Sequence, residues 1–314
     1  MPRPLVVVAE GSDPAPLNWL RERAQVVEVQ YDDPQFEPAL RLAEGLVVRT
    51  YTRVDESLLA KAPRLRVVGR GGVGLENINV AACRKRRVEV VYTPDANTQA
   101  VADFVFGYML RLLRPWGLFR DRIYSPQEWK RIRAQRGVQL NELTLGILGM
   151  GRVGRRVGHI AALGFGMKVI YNDLLDVRGL LDFSGESVEK PNLYRDADVL
   201  SIHVTMQPGN EHLVGATQIA MMKPTSIIIN TSRGEVLDAQ ALAEAIRQKR
   251  LAGAAIDVFD PEPPLPDFPL LGFDNVLLTP HIAARTETAM ANMSWVVRDV
   301  MNALENRAPR YPAP

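Results

Sequence analysis

Three polar residues each stand just beyond an apolar, β-branched run in the C-terminal half of the sequence. They are Arg233 after SIIINTS, Glu262 after GAAIDVFDP and His281 after NVLLTP. A guanidinium grips a carboxylate through two parallel hydrogen bonds, a geometry lysine cannot copy. An imidazole delivers a proton near neutral pH, and a positioned acid–base group contributes roughly 10²–10⁴ in rate. A carboxylate against that imidazole stabilises its charged form. The set suits a 2-oxo acid, gripped by its carboxylate and protonated at its carbonyl. Gly234 allows a sharp turn after Arg233, and Pro261, Pro263 and Pro264 flank and restrain Glu262. Taken singly, the three read more plainly as a surface cation, a turn histidine and a solvated glutamate. Their shared position argues otherwise, because ligands of open α/β sheets bind outside the carboxyl ends of the strands.

The run LGILGMGRVGRRVG supplies a place for a second reactant. Gly149-Met150-Gly151-Arg152-Val153-Gly154 follows a strand and opens a helix, as a dinucleotide fingerprint requires. Gly149 permits the tight turn, Gly151 lets backbone approach a pyrophosphate, and Gly154 lets helix and strand pack closely. The helix N-terminus adds N–H groups and partial positive charge for the phosphates. The next strand ends in Asp173, 24 residues after Gly149, where a carboxylate would accept hydrogen bonds from an adenosine ribose. That carboxylate repels a 2′-phosphate, so NAD is expected over NADP, although Arg178 lies near enough in sequence to soften the preference.

The elements that must position these groups are legible as two α/β series. The first has strand signals at 5–10, 26–30, 46–49, 65–69 and 88–92; the second at 144–149, 168–173, 199–204, 226–231, 254–259 and 276–280. Continuous apolar strands separated by helices imply parallel sheets covered on both faces. A long apolar helix is expected over about 98–114, ending near Pro115. Further helices are expected near 152–163, 216–222 and 238–249, and a final one over about 286–305. Residues 115–141 are polar and arginine-rich without clear period, and read as a long loop carrying Trp116, Tyr124 and Trp129. The expected division is a discontinuous first domain, 1–96 plus 288–314, and a second domain, 97–287.

The 314 residues suffice for two cores, and 46% apolar with 24% charged residues is the balance of a globular protein. A net charge of +2 from scattered charges gives no support to nucleic-acid binding; the basic run Arg84-Lys85-Arg86-Arg87 reads as a solvated helix end. The single cysteine, Cys83, cannot form an internal disulfide, and no Cys/His spacing suggests a metal site. The N-terminal apolar run is too short for a signal sequence, and no stretch approaches the ~20 apolar residues of a membrane span, so a cytoplasmic protein is expected.

The sequence resembles the D-isomer-specific 2-hydroxyacid dehydrogenase family over essentially its whole length. The matching stretches are GRGGVGLENINV, NTQAVADFVFGYMLRLLR, LGILGMGRVGRRVG, ADVLSIHV, MMKPTSIIINTSRGEVLDAQALAEAI, GAAIDVFDPEPP and LTPHIA, of which the last three are the most specific. The resemblance implies two doubly wound domains, a flavodoxin-like substrate domain and a Rossmann cofactor domain. It implies that Arg233 binds the carboxylate and carbonyl of a small 2-oxo acid, that His281 is the acid/base, and that Glu262 pairs with it. Val73 and Gly74 would offer backbone N–H groups to the substrate, and Asp257 would hold the nicotinamide carboxamide. Arg152, Val153, His203 and Thr231 join the expected cofactor contacts. A homodimer is expected, with the 115–141 segment embracing the partner. Asp103, Thr205, Ala284 and Arg285 depart from the common family pattern; Arg285 would add a second cation near the substrate. Val73, where a phosphite-oxidising relative has lysine, and Glu262, where a formate dehydrogenase has glutamine, disfavour those activities. No regulatory domain is expected after residue 314, which suits glyoxylate or hydroxypyruvate reduction better than phosphoglycerate oxidation. An NAD(H)-sensing protein of the same fold, like a transcriptional corepressor, is the competing expectation.

Overall fold

Short β-branched runs alternating with helices build two parallel sheets, each in its own compact unit. In the computed structural model, which describes residues 3–114 and 124–314, one unit comprises Met1–Asn97 with Ala284–Pro314 and the other Thr98–Ala283. The first sheet contains β1 (Leu5–Val8), β2 (Gln25–Glu28), β3 (Gly45–Val48), β4 (Val67–Arg70) and β5 (Glu89–Tyr92), in the order β2-β1-β3-β4-β5. The second contains β6 (Thr144–Leu148), β7 (Lys168–Asn172), β8 (Glu186–Ser187), β9 (Val199–Ile202), β10 (Ile227–Asn230), β11 (Gly253–Ile256) and β12 (Val276–Leu278). Its order is β12-β11-β10-β9-β6-β7-β8. Every strand pair in both sheets is parallel. The first order is the flavodoxin-like one. The second reverses direction between β6 and β9, the switch point at which doubly wound sheets bind dinucleotides.

The central strands are largely apolar because both faces are covered. Successive residues point to opposite faces. In the first unit, Val7, Leu46 and Val68 meet Leu40, Leu59 and Cys83, while Val6, Val47 and Val67 meet Val297, Val300 and Leu304. In the second, Ile147 and Ile229 meet Val105, Met109 and Val157, while Ile202 and Ile228 meet Leu193, Leu242 and Ile246. Each fully buried side chain of this kind contributes about 1.5–3 kcal/mol. Burial also pushes the Cys83 thiol up to about 11, leaving it an inert core residue.

Three local expectations need correction. The expected final helix over 286–305 is two helices, Glu287–Ser294 and Val297–Leu304. Ser294 Oγ donates back to the Met290 carbonyl at 3.0 Å, and Arg49 donates to that carbonyl too, which loosens the turn before Trp295. Within the stretch expected to be a structureless loop, Pro126–Arg133 is a helix closed by a Ser125–Glu128 capping box. Its period was hidden because it buries none of its side chains. Trp116 lies outside the described residues. The edge strand β8 was also unforeseen, since its two residues, Glu186 and Ser187, carry no apolar signal. No described helix is long and apolar enough to cross a membrane.

Candidate active site

Within the second unit, the loops after β10, β11 and β12 bring Arg233, Glu262 and His281 together. His281 Nδ1 lies 2.8 Å from Glu262 Oε2, and Glu262 Oε1 accepts the Phe259 N–H at 3.0 Å. Burial acts to raise the Glu262 carboxyl, but the His281 and Phe259 hydrogen bonds and the charges of His281 and Arg233 outweigh it. The group is held below the usual carboxylate range. With Nδ1 committed to the glutamate, Nε2 is the nitrogen left to face a ligand. Gly234 explains how the Arg233 loop lies so close to the β11 loop, since a Cβ there would meet the Phe259 carbonyl carbon at 2.1 Å. Arg233 Nη1 donates to the Ser232 carbonyl at 2.7 Å, while the Asn230 side chain donates to the Arg233 carbonyl at 2.9 Å and accepts from the Ser232 N–H at 3.0 Å. The guanidinium therefore projects from a braced turn. Both peptide bonds flanking Pro261–Glu262, Asp260–Pro261 and Glu262–Pro263, are cis.

His281 adopts φ +51°, a left-handed conformation uncommon for a residue with a side chain. Asp257, 1% exposed, makes it tenable. Its backbone carbonyl accepts the His281 N–H at 2.8 Å, and its carboxylate accepts the Ile282 and Ala283 N–H groups at 2.9 and 2.8 Å. The sequence hinted at none of this; only the Thr-Pro pair before His281 marked a turn.

At the switch point, Gly149 has φ +94°, and a Cβ on it would meet the His203 carbonyl carbon at 2.9 Å. A Cβ on Gly154 would strike the Gly149 oxygen at 2.2 Å, so turn and helix touch here. A Cβ on Gly151 would meet nothing within 4 Å. Open space therefore lies over this residue, and no side chain caps the helix Arg152–His159 that Gly151 begins, with Arg152 and Val153 in its first turn. Asp173 accepts the Met150 N–H at 2.6 Å and the Leu175 N–H at 2.9 Å, which fixes its carboxylate beside the glycine turn. Arg178 is held by Asp176 through two hydrogen bonds of 2.9 and 2.6 Å. His203, at the end of β9, contacts Ser201 Oγ at 2.8 Å, and burial lowers its imidazole to about 4. The Thr231 hydroxyl, at the end of β10, is buried without a partner. A clear space above an uncapped helix start, a carboxylate fixed beside the glycine turn and an orphan hydroxyl at one sheet edge fit a dinucleotide.

In the first unit, Val73 and Gly74 lie half-buried in the loop after β4, and their N–H groups have no protein acceptor among the described residues. Arg49 donates to Ser294 Oγ at 2.8 Å and to the Met290 carbonyl at 3.2 Å. Its guanidinium is destabilised first by burial and then by the charge of Arg285, which is itself exposed. The loop carrying Arg49 is pinned by a residue the sequence reading passed over: the Glu10 carboxylate accepts the N–H groups of Arg49, Thr50, Tyr51 and Thr52 at 2.7–3.1 Å. Among the described residues, no cluster of His, Cys, Asp and Glu could hold a metal ion.

Residues 106–283, more than half of the chain, match the model of the D-isomer specific 2-hydroxyacid dehydrogenase, NAD binding domain. A glyoxylate reductase of Aeropyrum pernix is 36% identical over 310 residues, covering 95% of this chain and 92% of that protein. A D-3-phosphoglycerate dehydrogenase of Methanocaldococcus jannaschii is 39% identical over 259 residues, covering 82% of this chain; the match spans only 49% of that longer relative. The crystal structure of D-lactate dehydrogenase from Aquifex aeolicus, complexed with NAD and lactic acid, superposes with a TM-score of 0.80 at 27% identity, covering 96% of each chain. The two parallel sheets, the glycine turn at the switch point and these likenesses lead to one conclusion: the chain belongs to the D-isomer specific 2-hydroxyacid dehydrogenase family of oxidoreductases.

Proposed function

We propose that this protein reduces a small 2-oxo acid to a 2-hydroxy acid of D configuration, with NADH as the reductant, and that Arg233, Glu262 and His281 carry the reaction. The observation that bears most weight is the 2.8 Å contact of His281 Nδ1 with a Glu262 carboxylate that also feels the charge of Arg233. Arg233 grips the substrate carboxylate and orients the carbonyl. His281, oriented by Glu262 through Nδ1, gives a proton from Nε2 to the carbonyl oxygen. The reduced nicotinamide, when bound, supplies the hydride to the carbonyl carbon. Asp257 accepts from the carboxamide, Thr231 and His203 line the same cleft, and Val73 and Gly74 offer N–H groups to the substrate.

NAD is preferred over NADP on this reading. Asp173 repels a 2′-phosphate, and Arg178, the cation that could accept one, is engaged by Asp176, whose carboxyl is lowered to about 2 chiefly by that hydrogen-bonded pair. Glyoxylate and hydroxypyruvate are the first substrates to test, by analogy with the glyoxylate reductase relative. Trp129, 43% exposed on a helix that buries none of its side chains, supports a homodimer, which sedimentation would test.

Oxidation of NADH, and separately NADPH, should be followed with glyoxylate, hydroxypyruvate, pyruvate and phenylpyruvate. Turnover of at least one, faster with NADH and lost in His281→Ala, is expected. Tight NADH binding with no turnover of any 2-oxo acid would overturn the proposal in favour of a dinucleotide-sensing role.

A further inference from the structure

Behind His281 the second unit contains a line of hydroxyl groups that the reaction scheme leaves unused. Tyr108 lies on the helix Thr98–Leu113, which packs against the β10–β11 region of the sheet, and is 5% exposed. Its Oη is hydrogen-bonded to Thr279 Oγ1. Thr279 Oγ1 in turn donates to Asp257 Oδ1 at 2.5 Å. The direction of the chain follows from counting protons. A threonine hydroxyl has one proton, and the carboxylate takes it. Tyr108 must therefore donate to Thr279. Burial pushes the Tyr108 phenol well above its ordinary value, which keeps that donor protonated.

The end of the line is Asp257. Its Oδ1 accepts from Thr279 and from the Ile282 N–H, and among the described residues its Oδ2 accepts from the Ala283 N–H alone, leaving a lone pair for a further donor. Its carbonyl accepts the N–H of His281, the residue in the left-handed conformation. Orienting Asp257 therefore sets two things together: the acceptor offered to a nicotinamide carboxamide and the backbone turn that presents the imidazole.

We propose that Tyr108 is a positioning residue for the reduction: acting through Thr279, it fixes the Asp257 carboxylate and with it the turn carrying His281. This rests on the function proposed above for Asp257 and His281. A phenylalanine would pack the same core space without the donor, so the role belongs to the hydroxyl and not to the ring.

Five proteins decide it: wild type, Tyr108→Phe, Thr279→Val, the double variant, and Thr279→Ser as the conservative control. Each is titrated with NADH and with ADP-ribose, which lacks the nicotinamide, and assayed with glyoxylate and hydroxypyruvate. In Tyr108→Phe, NADH should bind about tenfold more weakly with ADP-ribose binding unchanged, the loss expected for one polar contact. Its kcat should fall by a similar factor while the KM for the 2-oxo acid holds. Thr279→Ser should behave as wild type. The double variant should be no worse than Thr279→Val, because Tyr108 acts only through that hydroxyl. Equal weakening of NADH and ADP-ribose, additive losses in the double variant, or a Tyr108→Phe enzyme indistinguishable from wild type would each overturn the proposal. If Tyr108→Phe does not fold, the contrast between Thr279→Ser and Thr279→Val in the NADH to ADP-ribose ratio decides alone. A wild-type protein that reduces no 2-oxo acid would defeat the proposed function, and the binding ratio would still test the Tyr108 line.

Discussion

Two glutamates occupy matching places in the two units, each past the carboxyl end of a strand, and they do opposite work. Glu10, after β1, has both oxygens filled by four consecutive backbone N–H groups. Glu262, after β11, accepts one N–H and offers its other oxygen to an imidazole. Burial acts to raise both carboxyls and hydrogen bonds overcome it, so both are held below the usual range. A depressed carboxyl is therefore no guide to function by itself. What separates the two is the partner: amides that cannot titrate fix a loop, whereas a histidine can exchange a proton.

The sharpest way to break this contrast is at the imidazole. His281→Ala should lower kcat for a 2-oxo acid by about 10³-fold, and Arg233→Ala should lose a comparable factor in kcat/KM, with melting temperature unchanged in both. Steady-state kinetics beside a thermal melt would show it; a loss under tenfold would move the chemistry elsewhere. Glu262→Gln should cost about 10–100-fold in kcat, because a neutral amide replaces the carboxylate that orients the imidazole through Nδ1, and should leave stability nearly untouched.

Glu10→Gln should do the reverse. It removes an acceptor from two of four N–H groups and should cost about 1–3 kcal/mol in a denaturant titration, with kcat retained. If Glu10→Gln instead abolished turnover without destabilising the fold, the division between loop-fixing and reacting carboxylates would fail.

A smaller effect separates His203 from His281. The His203 imidazole is lowered by burial to about 4 from its ordinary 6.5, so between those values the unfolded chain binds the proton that the folded chain refuses. The stability it confers is complete above 6.5 and is lost as pH falls toward 4, to a limit of about 3 kcal/mol. Melts from pH 7 to pH 4.5 should show a steeper decline in wild type than in His203→Gln; parallel declines would remove this account. The smallest expected change is in Arg285→Ala. It should shift the substrate profile away from 2-oxo acids with a second anionic group by a fewfold, since it removes one of two neighbouring cations; an unchanged profile would retire that role.

Much of the site was legible because its signals are local. A glycine triplet between a strand and a helix, a carboxylate at a strand end and a polar residue directly after an apolar run can each be read from a short stretch of adjacent residues. The contribution of Glu10 was not legible, because its partners are some forty residues away and are backbone groups with no sequence signature. The Tyr108–Thr279–Asp257 line was hidden for the same reason. Tyr108 sits in an apolar helix where an aromatic residue reads as core, and its partner is 171 residues distant. The helix Pro126–Arg133 escaped because solvent exposure erased the period by which helices are read.

Residue order alone therefore determined the alternation of strand and helix, the edge of each sheet at which polar groups collect, and the inventory of groups that could react. Burying β-branched runs on both faces leaves few other arrangements. Only the tertiary structure decided which carboxylate meets an imidazole and which meets amides, that His281 sits in a left-handed turn, and that a tyrosine from a distant helix reaches Thr279. Those choices depend on hydrogen bonds between segments far apart in the chain, whose directions are set when the strands pair and not before.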